Sequence, residues 1–224
     1  MTAAEPPIPQ DRQLDATDIR YLFDSLSSHL HQAGSTGHHL MIAGGAALAL
    51  MWADRTTHDV DVLEHRFRAP QHHQDAERRT AAVDFISMRF PAEMVTAARR
   101  VADAEGLPRN WLNGAVAIFT PGCDLHPQVL HQSASLTVEA PSARVLLAMK
   151  LHAAREQDLQ DAARLARDTA ITDPEQLLDL VAHAYGTDAA TSYTAIFADR
   201  AVALALRDSR THQQRFDRGD GLEL

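Results

Sequence analysis

The spacing of apolar residues changes along the chain, and this change predicts an α/β part followed by an all-helical part. Near the start, apolar residues form one stripe along a predicted helix from about Asp15 to Gln32, made of Ile19, Leu22, Phe23, Leu26 and Leu30. Helical spacing returns beyond Pro141, with predicted helices that begin at Pro141-Ser142 and then span about 158–168, 174–185 and 192–208.

Short stretches between these helices have the pattern of strands. Residues 39–43 form a continuous apolar run that is typical of a buried strand. Gly44-Gly45 then turn the chain into an alanine- and leucine-rich helix at about 46–52. The remaining predicted elements of this part are strands at 82–88 and 136–139 and a helix from Pro91 to about Glu105.

Residues 58–64 alternate between apolar and acidic positions, with Val60 and Val62 on one face and Asp59 and Asp61 on the other. Side chains at i and i+2 of a strand are roughly 7 Å apart at the backbone, so two carboxylates can converge on hard cations. Mg²⁺, or Mn²⁺, is held in this way by a few carboxylates together with substrate phosphates. The alternative is that both carboxylates face water on a half-exposed strand.

The predicted fold is of the α/β (α+β) class, with a small mixed sheet flanked by helices and followed by a helical C-terminal part. The predicted organisation is a flexible leader at 1–14, an α/β core at 15–140, a helical part at 141–208 and a flexible tail at 209–224. An apolar fraction of 45% is enough for a core of this size.

Composition limits the cellular compartment and the kinds of partner that are expected for the protein. Cys123 is the only cysteine, so no internal disulfide can form and a reducing, cytoplasmic compartment is expected. The longest apolar run, Leu40–Ala53, is too short to span a bilayer, so no membrane association is predicted. The net charge of −9 argues against broad electrostatic binding of nucleic acid. Lys150 is the only lysine, and its compact ammonium suits contact with a single phosphate oxygen.

Gly44-Gly45 strengthen the metal interpretation of the acidic pair. Glycines after a buried strand let the backbone turn sharply and approach a phosphate closely. The start of the following helix presents N–H groups and a favourable dipole to an anion. The alternative is a tight strand-to-helix turn without a ligand.

These motifs resemble the signature of the polymerase-β-type nucleotidyltransferase superfamily, most closely its bacterial AbiEii/MenT-like members. The first matching block is Ile42-Ala43-Gly44-Gly45 followed by Arg55-x-Thr57-x-Asp59-Val60-Asp61. The second block is Leu146-Leu147-Ala148-Met149-Lys150 with Ala153, Arg155, Asp158 and Asp161. A related group of bacterial proteins with this fold is similar at Gly106-Leu107-Pro108 and Trp111-Leu112-Asn113.

The resemblance, which runs from about residue 40 to 185, implies a role for each matching residue. Asp59 and Asp61 would bind the metal, Gly44 and Gly45 would hold the nucleotide phosphates, and Arg55 and Thr57 would frame the acidic loop. Lys150 would contact triphosphate oxygens, and Asp158 or Asp161, with Arg155, would complete the catalytic or nucleotide-positioning set. The third metal carboxylate of polymerase-β-type enzymes has two candidates, Asp84 and Glu139.

The second block poses a geometric choice. On one continuous helix, Lys150 and Asp161 would be about 16 Å apart, so a single phosphate could not contact both. Either the helix breaks near Glu156-Gln157 and the chain folds back, or only one of the two residues belongs to the site. The alternative for Arg155, Asp158 and Asp161 is an exposed face of helix salt bridges.

The remaining cysteine, histidine and aromatic residues are weaker candidates for a functional site. Cys123-x-x-His126 with His131 has part of a zinc pattern but lacks a second cysteine pair. His72-His73 is expected to be solvated, and His38-His39 to be a metal ligand or surface pair. Trp111 and Phe119 are expected in the core.

The expected function is transfer of a nucleoside monophosphate from an NTP to a hydroxyl acceptor. The resemblance implies the toxin half of a bacterial toxin–antitoxin pair, with an antitoxin protein as partner and tRNA or another RNA as one acceptor. A protein or small-molecule acceptor fits equally well. The alternative, motivated by the missing third carboxylate, is a catalytically silent nucleotidyltransferase fold that binds a nucleotide or a protein partner.

Overall fold

The computed structural model describes residues 12–67 and 90–217, which divide into two compact units. The first unit comprises the chain through Thr120 together with Pro127–Ala140, and the second comprises Pro121–His126 and the chain after Ala140. Several sequence predictions lie outside the described residues: the strand at 82–88, the solvated His72-His73, the candidate Asp84, residues 1–11 of the predicted leader and residues 218–224 of the predicted tail.

The described residues form seven α-helices and one five-stranded mixed sheet, which confirms the predicted α+β class. The first unit contains the sheet and three helices: α1 (Ala16–Gln32), β1 (His38–Ala43), α2 (Gly44–Met51), β2 (Val60–Phe67), α3 (Ala92–Glu105), β3 (Leu112–Asn113), β4 (Gln128–Gln132) and β5 (Leu136–Ala140). The strand order is β3-β2-β1-β5-β4. Strand β1 is antiparallel to β2 and parallel to β5, β2 is parallel to β3, and β4 is antiparallel to β5.

Helix α1 buries the apolar stripe that its sequence predicts. Its stripe residues are all 1% exposed or less: Ile19, Leu22, Phe23, Leu26 and Leu30. The helix begins in a capping box, in which the Asp15 carboxylate accepts the N–H groups of Thr17 and Asp18 and the Asp18 carboxylate accepts the N–H of Asp15. Local sequence therefore determines both the face and the start of this helix.

Strand β1 lies in the middle of the sheet and leads directly into α2. Because β1 has strands on both sides, its central residues are buried, and Leu40 and Ile42 are fully so. Helix α2 is apolar on every side and buries Ala46, Ala47 and Leu48 completely. The Gly44-Gly45 turn is consequently held between two buried elements.

Two strands of the sheet have no signal in the sequence. Strand β3 has only two residues, which is too short for a periodic pattern. Strand β4 pairs with β5 at the edge of the sheet, and its residues are exposed or half-buried without alternation. Both strands therefore form through pairing with a neighbouring strand, β3 with β2 and β4 with β5, and not through a pattern in their own sequence.

The second unit is helical. Its helices are α4 (Ala143–Ala153), α5 (Leu159–Asp168), α6 (Pro174–Tyr185) and α7 (Ser192–Asp217), with short 3-10 helices at Glu156–Asp158 and Thr187–Ala189. Helix α6 begins as predicted, with Pro174 in its first turn and the Asp173 carboxylate accepting the Glu175 N–H. Helix α7 extends to Asp217 and does not end near residue 208 as predicted. Among the described helices, none is both long and apolar enough to cross a membrane.

A pair of histidines, the buried His38 and the half-buried His65, links β1 to β2. His38 Nδ1 lies 3.0 Å from His65 Nε2, and His38 Nε2 lies 2.8 Å from the Ser35 hydroxyl. His38 is 1% exposed, so it is neither a surface residue nor part of a metal cluster in the described chain. Burial lowers the pKa of both His38 and His65 to about 4, with smaller contributions from the charge of His38 on His65 and from the charge of His39 on both.

The histidine pair predicts a loss of stability in mild acid. Below pH 6.5 the unfolded chain takes up protons at His38 and His65, whereas the folded protein does so only near pH 4. The stabilisation is therefore complete above pH 6.5 and falls as the pH is lowered. We expect the free energy of unfolding in urea to drop by about 2 kcal/mol for each histidine between pH 7 and pH 5, and so by about 3–4 kcal/mol for the pair. The His38→Gln, His65→Gln double variant should lack that part of the drop, and an unchanged pH dependence in this variant would contradict the prediction.

Candidate active site

Asp59 and Asp61 lie on one face of the sheet at the start of β2. The strand begins at Val60, two residues later than predicted, so Asp59 immediately precedes it. Asp61 is the register partner of Asn113 on β3, and register partners in neighbouring strands share a face. The Asn113 Nδ2 donates to Asp59 Oδ2 at 3.2 Å. Both carboxylates are thus on the side that carries the Asn113 side chain, and both are half-buried.

The Asp61 carboxylate packs against the first residue of α2. Gly44 has a φ of 61°, and a Cβ at this position would lie 2.7 Å from Asp61 Oδ2. Both the left-handed backbone and the close carboxylate therefore require glycine. Because Ala43 precedes α2 and has no polar side chain, no N-cap side chain occupies the first turn of this helix.

Gly45 is required by a second contact within the protein. A Cβ at Gly45 would overlap the Thr57 hydroxyl and lie 2.9 Å from Thr57 Cβ. The two glycines therefore accommodate Asp61 and Thr57, and their conformations are explained without a bound phosphate. Phosphate binding at Gly44 and Gly45 remains a prediction that rests on the α2 N-terminus.

The loop before Asp59 is held by the chain that precedes α1. Leu14 and Thr57 form an isolated antiparallel bridge, in which the Leu14 N–H donates to the Thr57 carbonyl at 2.7 Å and the Thr57 N–H donates back at 3.0 Å. Leu14 is fully buried, although the sequence placed it in the leader. The Thr56 hydroxyl donates to Gln13 Oε1 at 3.0 Å, and the Thr57 hydroxyl donates to the Asp59 carbonyl at 3.2 Å. These bonds fix the backbone from which Asp59 projects.

Arg55 and Thr57 lie in the same loop as the acidic pair. Arg55 is half-buried, and its guanidinium donates to the carbonyl of Thr56. Thr57 is 9% exposed and contacts Gly45 as described above. The structure thus places both residues in the loop that the sequence expected them to frame.

Burial raises the pKa of Asp59 above its ordinary value. The hydrogen bond from Asn113 opposes this rise, as does the nearby His58. A cation bound at Asp59 would act in the same direction as Asn113, because positive charge stabilises the carboxylate form. The donor set of two carboxylates fits a hard cation such as Mg²⁺, which takes its remaining ligands from phosphates and water.

Asn113 is the residue of this site that sequence reasoning missed. Its Oδ1 accepts the Ala115 N–H at 3.1 Å, where a short 3-10 helix, Ala115–Phe119, begins. The only signal in the sequence was the Trp111-Leu112-Asn113 stretch noted in the family resemblance. That stretch had no role assigned because two residues do not define a strand or its neighbour.

Glu139, one of the two candidates for a third carboxylate, does not lie beside Asp59 and Asp61. It lies on β5 as the register partner of Met41, whereas Asp61 is the partner of Ala43. Strand β1 separates β5 from β2, which places the two strands about 10 Å apart. In the part of the chain that the structure describes, no group of three or more His, Cys, Asp or Glu side chains is arranged to hold a metal ion.

The second unit contains a cluster formed by Lys150, Asp158 and Asp161. The Lys150 ammonium donates to Asp158 Oδ1 and, at 3.0 Å, to Asp161 Oδ2. The three side chains are only 12%, 10% and 8% exposed, respectively. The expected alternative of an exposed salt-bridge face is therefore wrong for both aspartates. Arg155, by contrast, is exposed.

A break in the helix brings these residues together. Helix α4 ends at Ala153, Ala154 adopts a left-handed conformation with φ of 44°, and the chain turns through the 3-10 helix into α5. Of the two geometries left open by the sequence, the folded-back one is correct. Ala154 is 2% exposed, so its strained backbone is held by tight packing.

The remaining candidates are distributed between core and surface. Trp111 is fully buried as predicted, and its indole N–H donates to the Ala98 carbonyl at 3.0 Å. Phe119 is 44% exposed, so its expected place in the core is wrong. His126 pairs with Asp124 on the surface, at 3.6 Å.

Comparison of the chain with protein-family models, with curated proteins and with solved structures finds no match in any of the three.

Proposed function

We propose that the protein is a metal-dependent nucleotidyltransferase that transfers a nucleoside monophosphate from an NTP to a hydroxyl acceptor and releases pyrophosphate. The observation that carries this proposal is the contact between the Asp61 carboxylate and Gly44, the first residue of α2. It brings the start of β2, which carries the two carboxylates, against the N-terminus of α2, within the consecutive elements β1, α2 and β2. Carboxylates bind the cation that accompanies a triphosphate, and a helix N-terminus binds its phosphates.

Each residue would have a defined task in this reaction. Asp59 and Asp61 would hold Mg²⁺ or Mn²⁺, which stabilises the charge that develops on the transferred phosphoryl group. The N–H groups at the start of α2 would bind phosphate oxygens, aided by the helix dipole. The Leu14–Thr57 bridge would keep the acidic loop rigid, so that positioning and electrostatics supply most of the catalysis.

The family resemblance alone adds a second group of residues to the proposal: Lys150, Arg155, Asp158 and Asp161. In the structure the Lys150 ammonium already contacts two carboxylates. Contact with a triphosphate would require it to exchange at least one of them. The exposed Arg155 is the cation of this segment that would reach a phosphate without such an exchange.

Among the acceptors, RNA is the one most consistent with a toxin role. In that case, expression of the wild-type protein should arrest bacterial growth, whereas expression of an Asp61→Asn variant should not. A protein or small-molecule hydroxyl fits the same site chemistry. Such a toxin would be neutralised by a cognate antitoxin protein.

The proposal is tested by transfer of label. The protein is incubated with each NTP, labelled at the α-phosphate, with Mg²⁺ or Mn²⁺, total RNA and cell protein, and the products are separated on denaturing gels. Release of pyrophosphate is measured in parallel, because it also registers small-molecule acceptors. We expect label in one acceptor class and a matching amount of pyrophosphate. Absence of both with all four NTPs would refute the transferase proposal.

The second candidate is a nucleotide-binding module without catalysis. It is favoured by the donor set, because the neutral amide of Asn113 adjoins Asp59 and, among the described residues, no third carboxylate completes a metal-binding group. Such a module would bind an NTP with Mn²⁺ in equilibrium dialysis, and the recovered nucleotide would be intact.

A further inference from the structure

We propose that Asn113 is a positioning residue for the cation site, because its amide holds the Asp59 carboxylate in the orientation that lets Asp59 and Asp61 bind one divalent cation together. This inference rests on the proposed function for its catalytic consequence. Its direct consequence, the affinity for the cation, is measurable without turnover.

Asn113 is carried by a rigid part of the first unit. Strand β3 pairs with β2 through Leu112 and Asn113, and the Val60 N–H donates to the Trp111 carbonyl at 2.6 Å. Trp111 is fully buried and is bonded to α3 through its indole N–H. The segment that carries Asn113 is thus held by pairing with β2 and by the bond between Trp111 and α3.

The orientation of the Asn113 amide is determined by its two partners. The Ala115 N–H can only donate, so it selects Oδ1, and the Asp59 carboxylate can only accept, so it selects Nδ2. With the amide reversed, both contacts would bring like groups together. Asn113 is 7% exposed, and both ends of its side chain are satisfied by these bonds.

The amide also suits the chemistry of the site. Its N–H occupies one lone pair of Asp59 Oδ2 and leaves the other oxygen of the carboxylate for a cation. Being neutral, it orients Asp59 without adding a charge to the pair. Residues that orient metal ligands in this way change metal affinity or activity by about 10–100-fold when they are replaced.

The test separates the bond to Asp59 from the bond to Ala115. Asn113→Ser keeps an oxygen that can accept the Ala115 N–H but cannot reach Asp59, whereas Asn113→Ala removes both bonds. Asn110→Ala is the matched control, since Asn110 is an exposed asparagine in the turn before β3. The probe is Mn²⁺ alone, with its dissociation constant measured by electron paramagnetic resonance of the free ion. Thermal unfolding is recorded for every variant.

We expect both Asn113 variants to bind Mn²⁺ about 10-fold more weakly than the wild type, and Asn110→Ala to bind it equally well. A purely structural role predicts that Asn113→Ser restores wild-type affinity, and a constant within twofold of wild type in this variant overturns the proposal. Absence of Mn²⁺ binding by the wild type also overturns it.

The outcomes distinguish this inference from the proposed function. Wild-type protein that binds Mn²⁺ with dependence on Asn113, but transfers no label, supports the positioning role and refutes the transferase. Protein that transfers label with unchanged Mn²⁺ affinity in Asn113→Ser refutes the positioning role alone. In an active enzyme, Asn113→Ser should raise the Mn²⁺ concentration for half-maximal rate more than it raises the KM for the NTP measured at saturating Mn²⁺.

Discussion

Asp61→Asn is expected to lower kcat/KM for nucleotide transfer by about 10³-fold. A bound cation supplies several kcal/mol of transition-state stabilisation, and each 1.36 kcal/mol corresponds to a factor of ten in rate. The amide has nearly the same size as the carboxylate, so its packing against Gly44 is retained while the charge that attracts the cation is lost. The rate is measured as transfer of label from the NTP identified in the wild-type assay.

Asp103→Asn provides the matched control for this experiment. Asp103 is an exposed carboxylate on α3 in the same unit, so its replacement changes the net charge equally without touching the site. We expect this variant to retain wild-type activity, and all variants to unfold within a few degrees of each other. An Asp61→Asn enzyme within tenfold of the wild type would show that Asp61 does not hold the catalytic cation.

The parts of the site that sequence could predict depend on neighbours in the chain. The Asp59-x-Asp61 alternation and the stripe of α1 are local patterns, and the structure has both faces as expected. The sequence predicted that Gly44 and Gly45 are glycines because a phosphate approaches them closely. Their actual partners, Asp61 and Thr57, come from a different segment, which no local pattern reveals.

The parts that sequence could not predict depend on contacts between distant segments. Asn113 is 54 residues from Asp59, and Leu14 is joined to Thr57 by backbone bonds that any residue except proline can make. Ala154 is a further example, because alanine gives no sign of the left-handed backbone that breaks the helix after α4. The break was indicated only by the distance of about 16 Å that a continuous helix would leave between Lys150 and Asp161, which is too long for a shared site.

The break after α4 leads to the largest expected effect on stability. Lys150→Met removes the ammonium that bonds to both Asp158 and Asp161, two carboxylates that are largely buried. Breaking a buried ion cluster from one side costs about 3–5 kcal/mol, since the buried carboxylates lose the ammonium that compensates their charge. We expect a loss of this size in the free energy of unfolding in urea at pH 7, followed by circular dichroism.

Two further variants determine whether the loss comes from uncompensated charge. Arg200→Met breaks a solvent-exposed pair with Glu156 in the same unit, and solvent screening leaves such a pair little effect on stability. Adding Asp158→Asn and Asp161→Asn to Lys150→Met removes the charges left behind, so this triple variant should recover part of the stability. If Lys150→Met is no less stable than Arg200→Met but raises the KM for the NTP, Lys150 contacts the triphosphate and does not fasten α4 to α5. A large loss of stability that the triple variant relieves identifies the cluster as the element that holds the folded-back helix in place.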